Sequence, residues 1–267
     1  MLITSKIVQD LKLSLLKKVI IIIYLSISYN IIHLSNIIAI LQNIDHIEKI
    51  TSFLPQNTHC FYIRTLYPRT MKKKDLVIAL EKVPAFRDPD PILEQYPTPA
   101  SIAADILFDA YGQGDVKDLK VMDLGCGTGI FSVGAWLLGA GITVGYDISE
   151  KALDTAKSYA QHINADIEYK LSDIKSISEG ADTVFMNPPF GCQTRRADRD
   201  FLDKAMESSE CVYSIHMAET LDFIERFVEE RGRKISYNKM YKYNIPNTFS
   251  FHSKEKHSVD IVMVNIR

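Results

Sequence analysis

The amino-acid sequence predicts an α/β protein with a mainly parallel β-sheet covered by helices on both faces. From Lys120 onwards, short apolar runs with the length of buried strands alternate with stretches that have the apolar spacing of helices. A glycine-rich segment follows the first of these runs directly, which is where open parallel sheets bind ligands. This order of elements is typical of strands joined by crossover helices.

Two helices and the proline-rich segment between them precede the alternating strands and helices. A short helix is expected at residues 76–83, and residues 84–99 form a proline-rich lead that ends in the sequence EQYPTP. Ser101 is expected to cap the next helix, which Gly112 and Gly114 are expected to end.

The remaining elements follow from the same patterns. Helices are expected at residues 130–138, 150–164 and 221–230. Seven strands are expected, at residues 120–124, 143–146, 167–171, 183–186, 212–216, 235–241 and 259–266.

Composition fits a folded protein but is not uniform along the chain. The 267 residues carry 31 basic and 33 acidic side chains and 46% are hydrophobic, which excludes disordered, collagen-like and disulfide-rich proteins. Residues 1–70 have seven basic and three acidic side chains, 16 isoleucines and no glycine, whereas the other 197 residues have a net charge of -6. We therefore expect an N-terminal extension, residues 1–70, and one folded domain, residues 71–267.

The N-terminal extension has three interpretations. Residues 19–44 contain no Asp, Glu, Lys or Arg and are long enough for a transmembrane helix or a signal anchor, although Asn30, His33 and Asn36 are costly at bilayer depth. The composition is also that of translated AT-rich DNA upstream of a gene, with Met71 as the start codon. We favour the mis-assigned start over a membrane anchor and over a soluble extension.

The glycine-rich segment DLGCGTG, residues 123–129, indicates a ligand site. Its glycines let the backbone turn sharply and approach a ligand closely, although a plain glycine turn has the same pattern. Asp147 ends the next strand 20 residues after Gly127, where a carboxylate can accept both hydroxyl groups of a ribose. Asp173 ends the third strand, where it can accept from an adenine amine or cap a helix.

The position of Asp123 separates two nucleotide cofactors. A dehydrogenase of this class binds the pyrophosphate of NAD at the helix N-terminus. Asp123 instead brings a negative charge to this space, which suits the sulfonium and amino-acid group of S-adenosylmethionine better than a diphosphate. We therefore expect S-adenosylmethionine rather than NAD.

The sequence NPPF, residues 187–190, follows the fourth strand and predicts the catalytic site. Pro188 and Pro189 fix the backbone and donate no hydrogen bonds, so nearby carbonyl groups stay free. The Asn187 side-chain oxygen and the Pro188 carbonyl can accept the protons of an amine that attacks a methyl group, and a flat base can stack on Phe190. A proline turn that only ends a strand is the alternative.

Six segments together resemble one family of enzymes. EQYPTP, DLGCGTG, GYDIS, NPPFG, VYSIH and IPNTFSFHSKEKHSVDI are similar to the archaeal and eukaryotic methyltransferases that modify adenosine N6 in small-subunit ribosomal RNA. The resemblance covers residues 71–267. It implies a Rossmann-like class I fold dependent on S-adenosylmethionine, with an antiparallel C-terminal strand. It also implies a heterodimer with a small zinc-binding activator protein that pairs with the sheet edge.

The resemblance further implies which residues bind the cofactor. Gln95 and Thr98 of EQYPTP would hold its amino-acid end, the glycine loop would approach it closely, and the acidic strand ends would hold its ribose and adenine. The expected contacts are Gln95, Tyr96, Thr98, Asp123, Gly125, Cys126, Gly127, Thr128, Ile130, Asp147, Ile148, Asp173 and Ile174.

RNA contacts are expected from basic residues near aromatic ones, which suit phosphate contact and base stacking. Ordinary surface loops have the same composition, and the acidic domain makes binding depend on such local patches and on a partner. One group is Arg195, Arg196 and Arg199, and the other is His252, Lys254, Lys256 and His257 with Phe249 and Phe251.

Cysteine and histidine usage predicts no metal site. Cys60, Cys126, Cys192 and Cys211 have neither zinc-ligand spacing nor close pairs, which fits reduced thiols in a cytoplasmic protein. His216 is expected to be a packed residue rather than a ligand.

Two other functions stay open at this point. DNA adenine-N6 and protein glutamine methyltransferases also use an NPP[FY] loop, so the motif cannot separate them from an RNA enzyme. A non-catalytic cofactor-binding subunit, tethered to a membrane through residues 19–44, would predict a damaged pocket, but Asp123, Asp147 and the NPPF residues are intact.

Overall fold

The computed structural model describes residues 71–190, 197–244 and 258–267. Contacts between Cα atoms group Met71–Arg267 into one compact unit. Within the described ranges no helix is both long and apolar enough to cross a bilayer. The three interpretations of residues 1–70, including the apolar stretch 19–44, fall outside the described residues.

A seven-stranded sheet forms the centre of the described domain. Its order is β3-β2-β1-β4-β5-β7-β6, and β1 to β5 are parallel to one another. Strand β7 is antiparallel to both of its neighbours, so the expected antiparallel C-terminal strand is confirmed. The strands are β1 (Lys120–Leu124), β2 (Ile142–Asp147), β3 (Glu168–Leu171), β4 (Thr183–Met186), β5 (Cys211–Met217), β6 (Ile235–Asn244) and β7 (Ser258–Ile266).

Helices cover both faces of this sheet because its central strands are apolar on both sides. Phe185 and Tyr213 pack with α1, α2 and α3 on one face, whereas the alternate residues Val184 and Val212 pack with α5 and α6 on the other. The predicted fold class is therefore confirmed. The helices are α1 (Lys73–Leu80), α2 (Ala100–Gln113), α3 (Ile130–Leu137), α4 (Glu150–His162), α5 (Ala197–Ser208) and α6 (Leu221–Glu229).

The structure corrects three predictions about helices. Helix α1 begins and ends three residues before the predicted 76–83. Ser101 lies inside α2, and the N-cap residue is Pro99, which has a fixed φ but no side-chain acceptor. Gly114 does end α2 in the left-handed conformation, as predicted, whereas Gly112 lies within the helix.

Helix α5 was not expected from the sequence. Seven of the twelve residues in its stretch ADRDFLDKAMES are charged or polar, but Leu202 and Ala205 are buried three residues apart, which is the spacing of a helix that buries one face. Arg199 lies on this helix rather than in a loop.

Candidate cofactor and catalytic site

The candidate site lies at the carboxyl ends of the parallel strands, where the strand order reverses. Strands β2 and β3 lie on one side of β1, and β4 and β5 lie on the other. The loops that leave β1 and β4 therefore diverge and leave a crevice, which is the general ligand position in open α/β sheets. A cavity of about 580 Å³ opens here, within the size range of small-molecule sites.

This cavity brings together residues that are far apart in the sequence. Every residue predicted to bind the cofactor lines it, from Gln95 in the proline-rich lead to Ile174 after β3. Of the NPPF residues, Asn187 and Pro189 line the cavity. Pro188 is buried, and Phe190 is half-buried against the apolar core on the side of α1 to α3.

The glycine loop between β1 and α3 is held close to its neighbours. Gly127 has a φ of 54°, and a Cβ atom there would lie 2.7 Å from the ring of Phe86. Its N–H donates to Asp147 Oδ2 at 2.7 Å, while Asp147 Oδ1 accepts from the Ser149 N–H at 2.8 Å. The Asp147 carboxylate thus ties the end of β2 to the loop, and each of its oxygens retains a lone pair for a ligand hydroxyl.

Asp123 is buried beneath the same loop. Its Oδ2 accepts from the N–H of Ser132 at 2.9 Å and from the Ser132 hydroxyl at 2.6 Å. Burial raises the pKa of Asp123 to about 7, and the nearby charge of Asp147 acts in the same direction. Burial also raises the pKa of Asp147 itself. The buried carboxyl group of Asp123 and the half-buried one of Asp147, both with raised pKa values, form a site that favours a positively charged ligand.

The nitrogen and the oxygen of the Asn187 side-chain amide have different surroundings. Its Nδ2 donates to the hydroxyl oxygen of Thr98 at 3.0 Å. Its Oδ1 is buried and has no hydrogen-bond partner among the described residues. A buried acceptor without a partner costs free energy, so its presence beside a cavity indicates a donor that arrives with a ligand.

Comparisons with known proteins bear on this geometry. The family model for ribosomal protein L11 methyltransferase (PrmA) matches residues 106–187. The chain is 37% identical over 205 residues to rRNA N(6)-adenosine-methyltransferase METTL5 of Danio rerio, which covers 74% of this chain and 98% of that protein. The corresponding enzyme of Drosophila melanogaster is 32% identical over 72% of the chain and 94% of its own length. The chain belongs to the METTL5 family.

A solved structure agrees with METTL5 family membership. A protein of Pyrococcus horikoshii, provisionally assigned as an RNA methyltransferase, has a TM-score of 0.69 and 38% identity over 73% of this chain and 97% of its own. The prediction of a class I methyltransferase fold dependent on S-adenosylmethionine is confirmed. The residues present fit this cofactor, since the cavity combines glycine backbone, the acidic groups of Asp123 and Asp147 and apolar walls.

Asp173 caps a short helix and also lies at the cavity in this METTL5 family member. Its Oδ1 accepts from the Lys175 N–H at 2.9 Å, so it caps the 3₁₀ helix Ile174–Ser176. It also lines the cavity. The capping bond uses one carboxylate oxygen, which leaves the other available to a ligand.

Two aromatic residues of the cavity wall were missed in the sequence. Phe86 comes from the proline-rich lead and Phe201 from α5, and a Cβ atom added at Gly127 or Gly125 would meet the ring of Phe86 or Phe201, respectively. The spacing of Phe201, Leu202 and Ala205 could have revealed the helix and its apolar face. No local signal distinguishes Phe86 from any other loop phenylalanine.

The predicted RNA contacts are mostly outside the described residues. Arg199 is described. Its guanidinium lies 4.5 Å from the centre of the Phe223 ring and so packs against α6. Arg195 and Arg196 are not described, nor is the C-terminal group of His252, Lys254, Lys256, His257, Phe249 and Phe251.

Of the described residues in the cysteine and histidine predictions, Cys126 lines the cavity, whereas Cys211 and His216 do not. Cys126 and Cys211 are buried free thiols, whereas Cys60 and Cys192 lie outside the described ranges. His216 is buried on β5 with its Nε2 2.7 Å from the Ser214 hydroxyl, and burial lowers its pKa to about 3. In the part of the chain that the structure describes, no three potential metal ligands cluster.

Proposed function

We propose that this chain transfers a methyl group from S-adenosylmethionine to the N6 amine of an adenosine in small-subunit ribosomal RNA. The observation that carries the proposal is the buried, unpartnered Oδ1 of Asn187 at the edge of the cofactor cavity. The names of the METTL5 relatives, which are rRNA N(6)-adenosine-methyltransferases, support the choice of RNA as the substrate.

The proposed chemistry needs acceptors for an amine rather than a strong base. The lone pair of the adenine amine is delocalised into the ring, so the nitrogen must become pyramidal before it attacks. Asn187 Oδ1 and the Pro188 carbonyl accept the two amine protons and favour this geometry. Phe190 offers its ring to the base. Bound S-adenosylmethionine supplies the electrophilic methyl group, and alignment of the amine with it accounts for much of the rate.

The cofactor is held by the residues that line the cavity. Asp147 accepts from the ribose hydroxyl groups, Asp173 and Ile174 hold the adenine, and Gln95 and Tyr96 hold the amino-acid end. The carboxylate of Asp123 faces the cationic part of the cofactor. All these residues line the same cavity, which supports the proposal.

A protein substrate is the second candidate. The PrmA family model, which describes a ribosomal protein methyltransferase, matches residues 106–187. Those residues hold the cofactor loop and the start of the NPPF sequence, which protein, DNA and RNA enzymes share. The experiment therefore offers labelled cofactor with small-subunit RNA, duplex DNA or ribosomal protein in separate reactions. Label in protein or DNA without label in RNA would reject the proposed substrate.

The cationic end of the cofactor makes binding depend on pH. In the free protein, Asp123 is protonated and uncharged below about pH 7, because burial raises its pKa to about 7. A bound cation favours the ionised form and lowers this pKa, so protonation competes with binding. We expect the affinity for S-adenosylmethionine to fall by up to about tenfold per pH unit below pH 7 and to be flat above it.

Calorimetric titration between pH 5.5 and 8 measures this dependence. Asp123→Asn should bind more weakly and with little change over this range. The matched control, Asp173→Asn, alters an exposed carboxylate on the same cavity and should keep the slope of the unaltered chain. If Asp123→Asn showed the same slope as the unaltered chain, Asp123 would not be the group whose protonation weakens binding.

The activator protein is proposed to add a strand to the β3 edge of the sheet. Of the two outer strands in the described sheet, β6 carries Lys239 and Lys242, and lysines are typical of edges protected from pairing. Strand β3 also exposes an apolar side chain, Leu171, and its one lysine, Lys170, is paired with Glu179. Strand addition uses main-chain hydrogen bonds and neighbouring apolar pockets.

Pull-down of the full chain with a purified zinc-binding activator tests this interface. We expect a one-to-one complex that Leu171→Asp weakens at least tenfold. Met240→Asp on β6 is the matched control, because both side chains are 56% exposed, and it should leave the complex intact. Absence of any complex would count against the heterodimer, and equal losses in both variants would count against the β3 edge.

The proposed catalytic domain is residues 71–267. The described residues that line the cavity, from Leu80 to Phe201, belong to it. The buried free thiols Cys126 and Cys211 support a reducing compartment, and we place the enzyme in the cytoplasm.

A further inference from the structure

Asn187 can serve as an acceptor only in one of two amide orientations. An asparagine amide has an oxygen that accepts and a nitrogen that donates, and a half-turn about the terminal bond exchanges them. With Oδ1 towards the cavity, the amide accepts from a substrate amine. With Nδ2 towards the cavity, two donors would face each other, and the amine proton would lose its acceptor.

In the structure, the hydroxyl of Thr98 holds the amide in the first of these orientations. Nδ2 of Asn187 donates to Thr98 Oγ1 at 3.0 Å, while Oδ1 is left without a partner. We propose that Thr98 is a positioning residue that holds the Asn187 amide with its oxygen towards the substrate. This inference rests on the proposed catalytic role of Asn187. It assigns Thr98 a role other than the contact with the amino-acid end of the cofactor that was expected from its motif.

The backbone around Thr98 is itself fixed from a distant strand. The Tyr243 hydroxyl on β6 donates to the carbonyl oxygen of Pro97 at 3.0 Å, and the Tyr243 side chain is buried. Pro99 on the other side is the N-cap residue of α2 and accepts from the Ile102 N–H at 3.0 Å. Thr98 therefore stands between two anchored residues, so its hydroxyl has a defined position beside Asn187.

The two roles for Thr98 predict different kinetics. A cofactor contact would be lost as weaker binding of S-adenosylmethionine, whereas a positioning contact would be lost as a lower kcat at saturating cofactor. Removing the hydroxyl acceptor frees the amide to rotate and to populate the unproductive orientation. One lost hydrogen bond of about 1.4 kcal/mol corresponds to a tenfold change.

The test compares Thr98→Val, which is nearly isosteric, with Thr98→Ser, which keeps the hydroxyl. We expect Thr98→Val to lower kcat for methyl transfer about tenfold or more, with the calorimetric Kd for S-adenosylmethionine within about threefold of the unaltered chain. Thr98→Ser should restore kcat to within about threefold, and Tyr243→Phe should lower it by a smaller factor than Thr98→Val.

Thr183→Val is the matched control on the strand that leads to Asn187. The Thr183 hydroxyl is buried and donates to the Asp115 carbonyl at 2.6 Å, at the opposite end of β4. Loss of this hydroxyl should lower the melting temperature and leave kcat unchanged. If Thr98→Val does not fold by the same measurement, Thr98→Ala takes its place.

A double variant separates this inference from the proposed function. If Thr98 acts through Asn187, Thr98→Val should slow an Asn187→Ala enzyme no further, because the amide it positions is already gone. An unchanged kcat in Thr98→Val, or a weaker Kd with normal kcat, would overturn the inference even where the unaltered chain methylates RNA. Failure of the unaltered chain to label RNA would reject the proposed substrate, whereas the comparison of Thr98→Val with Asn187→Ala applies to any substrate that accepts label.

Discussion

Replacing Asn187 with alanine is expected to lower kcat for methyl transfer to RNA by about 10²- to 10³-fold, the usual effect of removing one preorganised polar group from a transition state. The reason is that Asn187 Oδ1 is an acceptor that is buried beside the cofactor cavity and has no partner among the described residues. Alanine removes that acceptor, while the Pro188 carbonyl alone remains to hold the amine. The measurement is transfer of labelled methyl groups from saturating S-adenosylmethionine to small-subunit RNA.

Cofactor binding separates this effect from general damage to the site. The Kd for S-adenosylmethionine should change by less than about threefold, because loss of a transition-state contact lowers kcat rather than ground-state binding. Asn238→Ala is the control, since Asn238 is exposed on β6 and does not line the cavity. Label in RNA that persists undiminished in the Asn187 variant would reject the mechanism.

The strands and the composition of the site could be predicted because both follow from local patterns. Residues 120–124 and 183–186 were predicted with the boundaries that β1 and β4 have. Acidic and amide side chains at the ends of such strands must converge, because parallel strands share one carboxyl edge. Asp123, Asp147 and Asn187 line one cavity for this reason.

Properties that depend on distant contacts could not be predicted in the same way. The Asn187 amide is held by a hydrogen bond to Thr98, which lies 89 residues earlier. The raised pKa of Asp123 depends on burial that only the assembled sheet produces. The role of Phe86 depends on where a proline-rich lead crosses the glycine loop, and no periodic pattern specifies that path.

Replacing Gly129 with alanine is expected to destabilise the domain strongly, and Gly114→Ala is the matched control. Both have almost the same left-handed backbone, with φ of 89° and 87°. A Cβ atom at Gly114 would meet nothing within 4 Å, whereas one at Gly129 would overlap with the Tyr169 hydroxyl. In Gly114→Ala, the free energy of unfolding should therefore fall by only about 1–2 kcal/mol, the cost of a side chain on a left-handed backbone. Gly129→Ala should lose about 1–3 kcal/mol more from overpacking, as measured by denaturant unfolding.

Tyr169→Phe shows whether the overlap causes the additional loss in Gly129→Ala. Without the hydroxyl oxygen, the nearest ring atom to the added methyl would be Cζ, at 3.1 Å. A small shift of the ring can accommodate that contact, so the double variant should recover about 1 kcal/mol relative to the sum of the single changes. Because Gly129 closes the cofactor loop, the Gly129 variant should also bind S-adenosylmethionine more weakly than the Gly114 variant. Equal losses of stability and of affinity in the two alanine variants would mean that the loop is not held against Tyr169.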